Sequence, residues 1–332
     1  MRAAVIGAGA WGTALADVLA RNGHDVGLWA REDDVVATVN TTHENTRFLA
    51  GVPLHAGVVA HADMAHAVAS AALVIFAAPS HVLRHVASDC APHLARETVL
   101  AVATKGIERE SLALMTDVVA DAVAHDDVVA LSGPSFAMEV ARRQPTALVA
   151  AARDRSHASL AQRLLSSPEF RVYTASDVVG VELGGALKNV MAVATGVVDG
   201  LGLGFNARAA LITRGLAEMT RLGVALGAQA ATFAGLAGLG DLVLTCTGAL
   251  SRNRAVGLAI GEGQTLEQAL AGKETVAEGV LNAQSAQALA ARAGVEMPIV
   301  DATHRILFDG VAPRTAVAEL MRRELRAEQD DA

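Results

Sequence analysis

The stretch Arg2-Ala3-Ala4-Val5-Ile6-Gly7-Ala8-Gly9-Ala10-Trp11-Gly12-Thr13-Ala14-Leu15 decides how the chain folds. Arg2–Ile6 is a short apolar run that ends in glycines, and Trp11–Asn22 has helical spacing with Gly23 as its stop. A G-x-G-x-x-G sequence between a strand and a helix gives each glycine a separate role. Gly7 permits a tight turn, Gly9 lets the backbone approach a pyrophosphate, and Gly12 lets helix and strand pack closely. The amides of the helix N-terminus then face an anion. The same stretch superficially imitates a signal peptide, with Arg2 ahead of an Ala-rich run. Its glycines interrupt the apolar region such a peptide needs.

Outward from this loop the strand–helix alternation continues. Asp25–Ala30, Leu73–Ala78, Val99–Ala103, Val128–Leu131, Thr146–Ala150 and Arg171–Thr174 read as strands, and His81–Leu94 and Ser111–Val123 as helical segments. Unbroken apolar strands such as Leu73–Ala78 suit a sheet covered on both faces. The fold class is therefore α/β, a Rossmann-type doubly wound, mostly parallel sheet. From about Ser176 strand signals nearly vanish. Asp177–Val198, Ala207–Leu226, Arg254–Ile260, Leu266–Leu270, Ala277–Ala293 and Thr315–Arg326 read as helices, and Glu328–Ala332 as a polar tail. The expected organisation is a dinucleotide-binding domain over 1–178 and an all-α substrate domain over 179–327.

Composition excludes several classes. The 332 residues are 52% hydrophobic and 19% charged, which permits a large core and rules out wholesale disorder. A net charge of −8 with no basic cluster argues against nucleic acid as a partner. Cys90 and Cys246 are too few for a disulfide scaffold and fit a cytoplasmic protein, and no Cys/His spacing suggests a metal. Leu222–Gly240 is uncharged and about as long as a membrane span, but its glycines with Gln229 and Thr232 make it a buried helix and loop, so no membrane span is expected.

Lysine is scarce: the 27 basic residues include only Lys105, Lys188 and Lys273. A position that stays lysine in an arginine-rich chain is a candidate for proton transfer, which arginine cannot perform. Lys188 falls mid-helix in the small, apolar run Glu182-Leu183-Gly184-Gly185-Ala186-Leu187-Lys188-Asn189, where burial should lower its pKa. Lys105, in Thr104-Lys105-Gly106, follows a strand and so lies at the binding edge of the sheet. Ser132-Gly133-Pro134-Ser135-Phe136-Ala137 follows another strand, with Ser135 placed to cap the helix through Arg142. Asp241, in Gly238-Leu239-Gly240-Asp241-Leu242, is either a plain N-cap or the partner of a lysine. Ser251-Arg252-Asn253 sets a guanidinium at a helix start, a phosphate-binding chemistry. Cys246 reads as a packed core thiol. At the end of the second strand, Arg31 suits a 2′-phosphate and favours NADP(H), whereas Glu32 and Asp33 would serve NAD(H).

These motifs, together with Val276-Ala277-Glu278-Gly279, occur in the order found in the bacterial glycerol-3-phosphate dehydrogenase family that uses NAD(P)+, which the chain resembles from residue 4 to about 310. The resemblance implies reversible reduction of dihydroxyacetone phosphate to sn-glycerol 3-phosphate for phospholipid synthesis, and a homodimer is expected. It makes Lys188 the proton acceptor in the oxidation direction, with Lys105 and Asp241 beside it. It assigns Lys105, Gly133, Ser135, Lys188, Asp241, Ser251, Arg252 and Asn253 to the substrate. Gly7, Gly9, Ala10, Trp11, Gly12, Arg31, Lys105, Ala137, Arg252, Val276 and Glu278 are assigned to the cofactor. Ala10 departs from the pattern, because many members carry serine there. Two alternatives stand beside this reading: a related dehydrogenase acting on another small hydroxy acid, and a cofactor-sensing protein without catalysis.

Overall fold

A computed structural model of the chain describes residues 1–272, 277–325 and 327–328. Lys273, Val276 and the end of the expected polar tail, 329–332, lie outside the described residues.

The strands are β1 (Arg2–Ile6), β2 (Asp25–Trp29), β3 (Val58–His61), β4 (Leu73–Phe76), β5 (Val99–Val102), β6 (Val128–Ser132), β7 (Thr146–Ala151) and β8 (Phe170–Ala175). Among the described residues they form one eight-stranded sheet in the order β3-β2-β1-β4-β5-β6-β7-β8. All neighbours are parallel except β6 and β7. The order reverses beside β1, where the chain leaves β3 at one edge and returns as β4. Crevices for ligands form at the carboxyl ends of strands at such a reversal. The helices α1 (Ala10–Arg21), α2 (Asp33–Thr42), α3 (Met64–Val68), α4 (Leu83–Cys90), α5 (Met115–Val123), α6 (Ala137–Ala141) and α7 (Arg155–Leu165) accompany the sheet. β4, β5 and β6 are buried throughout, which explains their unbroken apolar sequences.

The second half contains α8 (Val178–Gly200), α9 (Gly204–Ala225), α10 (Ala230–Phe233), α11 (Asp241–Thr247), α12 (Arg252–Gly261), α13 (Leu266–Leu270), α14 (Glu278–Ala293), α15 (Pro298–Phe308) and α16 (Pro313–Met321). α15 was not apparent from the sequence. Its Pro298 sits at the first helical turn, where the missing N–H costs nothing. α8 is long and apolar enough to cross a membrane, yet 94% of its apolar window is buried inside the protein, so it is the core helix. α12 packs directly on it: a Cβ on Gly196 would collide with the Arg254 carbonyl. The uncharged run 222–240 is not one helix. It holds the end of α9, a turn, α10 and a π-helical turn over Leu236–Gly240, and it leaves Val224 and Leu239 exposed.

The chain divides into two compact units, 1–104 with 115–178, and 105–114 with 179–332. The segment 105–114 thus leaves the half to which the sequence reading had assigned it. Ile107 and Leu114 are buried in the same apolar cluster as α8, the Ile107 N–H donates to Asn282 Oδ1 at 3.4 Å, and Arg292 donates to the carbonyl of Ser111 at 3.1 Å. The helix expected from Ser111 consequently starts only at Met115.

Candidate active site

In the first unit, Gly7 follows β1 with φ +115°, a conformation that side chains rarely adopt, and its backbone packs against Ala77 and Ala78 at the end of β4. A Cβ on Gly12 would strike the Gly7 carbonyl, so the first turn of α1 closes onto the loop. At Gly9 the situation reverses: no heavy atom lies within 4 Å of an added Cβ, leaving open space over the loop. Gly9 is also the N-cap of α1 and provides no side chain to satisfy the first-turn amides. Ala10 and Trp11 open that helix, and the buried Trp11 Nε1 has no hydrogen-bond partner in the protein. An open cradle, unsatisfied donors and a helix N-terminus fit the pyrophosphate of a dinucleotide.

Arg31 stands just beyond β2, its side chain 81% exposed and hydrogen-bonded through Nε and Nη2 to Glu32 Oε1 at 3.1 and 2.8 Å. The two residues between which the sequence could not choose are thus ion-paired at the same spot. Gly133 follows β6 with φ +140°. Ser135 does not cap the next helix: Phe136 is the N-cap of α6 without a side-chain bond, and Ser135 Oγ donates to the Gly133 carbonyl at 2.9 Å. Ala137 is the first residue of α6.

In the second unit, Asp241 is fully buried at the first turn of α11, directly after the π-helical turn. It is not a plain N-cap. Lys105 Nζ donates to its Oδ2 at 2.6 Å, and Lys188 Nζ donates to its Oδ1. Lys188 also donates to Thr245 Oγ1 at 2.9 Å, one helical turn after Asp241. Three charged groups thus share a largely buried site from positions 105, 188 and 241: the Asp241 side chain has no exposure, and those of Lys188 and Lys105 keep 9% and 15%. Burial pushes the Lys188 ammonium down from 10.5 to about 7. Asp241 opposes that shift, while the neighbouring Lys105 adds to it.

Ser251 caps α12, accepting the Arg254 N–H at 3.2 Å. Arg252 is the first residue of that helix and is exposed taken as a whole. Desolvation by the surrounding protein still pulls its pKa down, against the pull of the Glu278 charge at the start of α14. Asn253 points inward: its Nδ2 donates to Asn189 Oδ1 at 2.8 Å, and its Oδ1 accepts the Gly279 N–H at 2.9 Å. That chain of bonds ties the starts of α12 and α14 to the residue after Lys188. Cys246 is packed and its thiol is pushed up to about 11 by burial, which makes it inert. Thr245 and Asn189 escaped the sequence reading, although Thr245 stands four residues after Asp241 and so on the same helical face.

Residues 2–158 match the model of the N-terminal domain of NAD-dependent glycerol-3-phosphate dehydrogenase, and residues 177–318 match that of its C-terminal domain. The chain belongs to the NAD-dependent glycerol-3-phosphate dehydrogenase family. A glycerol-3-phosphate dehydrogenase [NAD(P)+] of Syntrophotalea carbinolica is 52% identical over 99% of this chain and 100% of its own. The crystal structure of the glycerol-3-phosphate dehydrogenase of Coxiella burnetii is 42% identical and superposes with a TM-score of 0.93, covering 97% of this chain and 99% of that one. The glycerol-3-phosphate dehydrogenase of Saccharomyces cerevisiae is 26% identical with a TM-score of 0.83, over 96% and 98% of the two chains. Membership explains why an open glycine loop and a buried lysine–aspartate–lysine group occur in one chain.

Proposed function

We propose that this chain reduces dihydroxyacetone phosphate to sn-glycerol 3-phosphate with NADPH or NADH, reversibly, and so supplies glycerophospholipid synthesis. The observation that carries this reading is the pair of lysines sharing the buried Asp241 carboxylate in a member of this family.

The glycine loop with Ala10 and Trp11 would hold the pyrophosphate, Arg31 the ribose end, and Ala137, Glu278 and Val276 further parts of the cofactor, which supplies a hydride equivalent when bound. Lys188 Nζ gives a proton to the substrate oxygen that becomes the secondary hydroxyl, and takes it back in the oxidation direction. A pKa near 7 lets the amine serve both directions at neutral pH. Lys105 lies beside that oxygen and stabilises the negative charge developing there. Asp241 and Thr245 fix the direction of the Lys188 ammonium, so its proton is aimed before the substrate arrives. Arg252, with the amides at the start of α12, holds the remote phosphate, and its binding energy orients the three-carbon unit. Gly133 and Ser135 serve as additional substrate contacts. Asn253, held by its bonds to Asn189 and Gly279, serves as a further substrate contact.

We further propose a cytoplasmic homodimer. The free, buried Cys90 and Cys246 fit a reducing compartment. Phe205, exposed under the Arg208 guanidinium, and nearby Leu203 offer an apolar patch for a second copy.

The deciding experiment is NADPH oxidation with dihydroxyacetone phosphate, compared with dihydroxyacetone. Strong turnover of the phosphorylated ketone alone supports the reading. Turnover of a non-phosphorylated hydroxy acid or its ketone would favour the related dehydrogenase, and binding without turnover the sensor.

A further inference from the structure

Asn45 lies in the loop that follows α2, far in sequence from the glycine motif, and is completely buried. Its Nδ2 donates to the carbonyl of Ala8 and to Thr13 Oγ1, both at 2.8 Å. Thr13 Oγ1 in turn donates to the same Ala8 carbonyl at 3.2 Å. On the other side, Asn45 Oδ1 accepts the Phe48 N–H at 3.0 Å. The orientation of the amide is chemically fixed, because a carbonyl can only accept and a backbone N–H can only donate. Both N–H groups of Asn45 are therefore spent on the glycine loop and the first turn of α1.

Ala8 stands between Gly7 and Gly9. In a planar trans peptide the carbonyl of one residue and the N–H of the next point in opposite directions. Two donors that hold the Ala8 carbonyl toward the buried Asn45 therefore turn the Gly9 N–H the other way, away from Asn45. With glycine on both sides of Ala8, the local sequence restricts the orientation of this peptide less than larger residues would. The direction must come from outside the motif.

We propose that Asn45 is a positioning residue for the dinucleotide: with Thr13 it locks the Ala8–Gly9 peptide so that the loop presents its amide donors to a pyrophosphate. The proposal rests on the dinucleotide reading given above. It concerns the pyrophosphate alone and leaves the adenosine end untouched.

The test measures dissociation constants on the full-length, substrate-free protein, using quenching of Trp11 and Trp29 fluorescence by NADPH, ADP and 2′-AMP. Asn45→Asp keeps an oxygen for Phe48 but presents lone pairs to the Ala8 carbonyl. It should raise the constants for NADPH and ADP by about tenfold or more, the loss expected from a misdirected charge-assisted contact. The constant for 2′-AMP, which has no 5′-phosphate, should stay within about twofold of wild type, since no hydrogen bond to it is lost. Should Asn45→Asp fail to fold, the Thr13 pair carries the test. Thr13→Val should raise the NADPH and ADP constants by about threefold, and Thr13→Ser, which restores the hydroxyl, should return them to wild type. Unchanged NADPH affinity in folded Asn45→Asp or Thr13→Val overturns the proposal, as does an equal loss for all ligands, which would mark a merely structural residue. Failure of the wild-type chain to bind NADPH would overturn the dinucleotide reading itself, and this proposal with it.

Discussion

Lys188 and Asp241, separated by 53 positions in sequence, form a buried ion pair whose carboxylate also serves Lys105. Two lysines and one carboxylate thus share a site with little solvent, and burial makes the proton of Lys188 easier to lose than that of an ordinary lysine.

Replacing Lys188 separates proton transfer from simple charge. Arginine keeps the charge but stays protonated, so Lys188→Arg and Lys188→Met should both lose about 10²–10⁴ in turnover. NADPH affinity, measured without substrate, should stay close to wild type. Substantial turnover by Lys188→Arg would refute the proton-transfer role and direct attention to Lys105.

Removing the shared carboxylate should move the pH profile. Asp241 holds the Lys188 pKa up against burial, so in Asp241→Asn it should fall further. For the oxidation of glycerol 3-phosphate, which needs the neutral amine, the rising limb of kcat should shift to lower pH than its wild-type position near 7. An unmoved limb, in a variant that still folds, would mean that another group titrates there.

The Lys188 shift also has a stability consequence. Its pKa is lowered from 10.5 to about 7 on folding, so between those values the unfolded chain binds more protons. Stability from this group is therefore complete above 10.5 and is lost as pH falls through 7. Denaturant unfolding of wild type and Lys188→Met should diverge over that window, the wild type gaining more with rising pH. Parallel curves would contradict the burial effect.

Arg252→Ala should cost about 1.5–3 kcal/mol of interaction with dihydroxyacetone phosphate, the range for hydrogen bonds to charged groups. Activity on dihydroxyacetone should hardly change. Equal losses for the two ketones in steady-state kinetics would remove Arg252 from the phosphate site.

Glu218 of α9 accepts the N–H groups of Ile299 and Val300 at the start of α15, and burial raises its pKa from 4.5 to about 7. The folded chain holds the proton more tightly, so this group's contribution is full below 4.5 and is lost as pH rises through 7. Glu218→Gln can still accept through its carbonyl and should abolish that decline. Its advantage over wild type at pH 8 has an upper bound of roughly 3.5 kcal/mol, at about 1.4 kcal/mol per pH unit. Urea unfolding at pH 5 and pH 8 checks the sign.

The glycine motif, the alternating strands and the apolar run around Lys188 were legible because each is a local pattern. The seven strands expected came within a residue or two of their observed ends, while the short edge strand β3 was not among them, and the burial of Lys188 followed from its neighbours. What stayed hidden depends on partners distant in sequence. Lys105 and Asp241 are 136 positions apart, so only the fold reveals that one carboxylate serves both lysines. Asn45 resembles an ordinary polar loop residue until it is found beneath Ala8. Ser135 was misread because Ser before a helix is a common cap, while here the chain enters α6 one residue later. α15 was overlooked because Glu296, Pro298 and Asp301 give its beginning the look of a loop.

The excursion of 105–114 into the second unit has a consequence for biosynthesis. The ribosome delivers Ile107 and Leu114 well before α8 and α14, which complete the cluster that buries them. During synthesis this hook cannot be buried in that cluster until the helical half has emerged. Lys105, at its first residue, can therefore meet Asp241 only after 136 further residues have been synthesised.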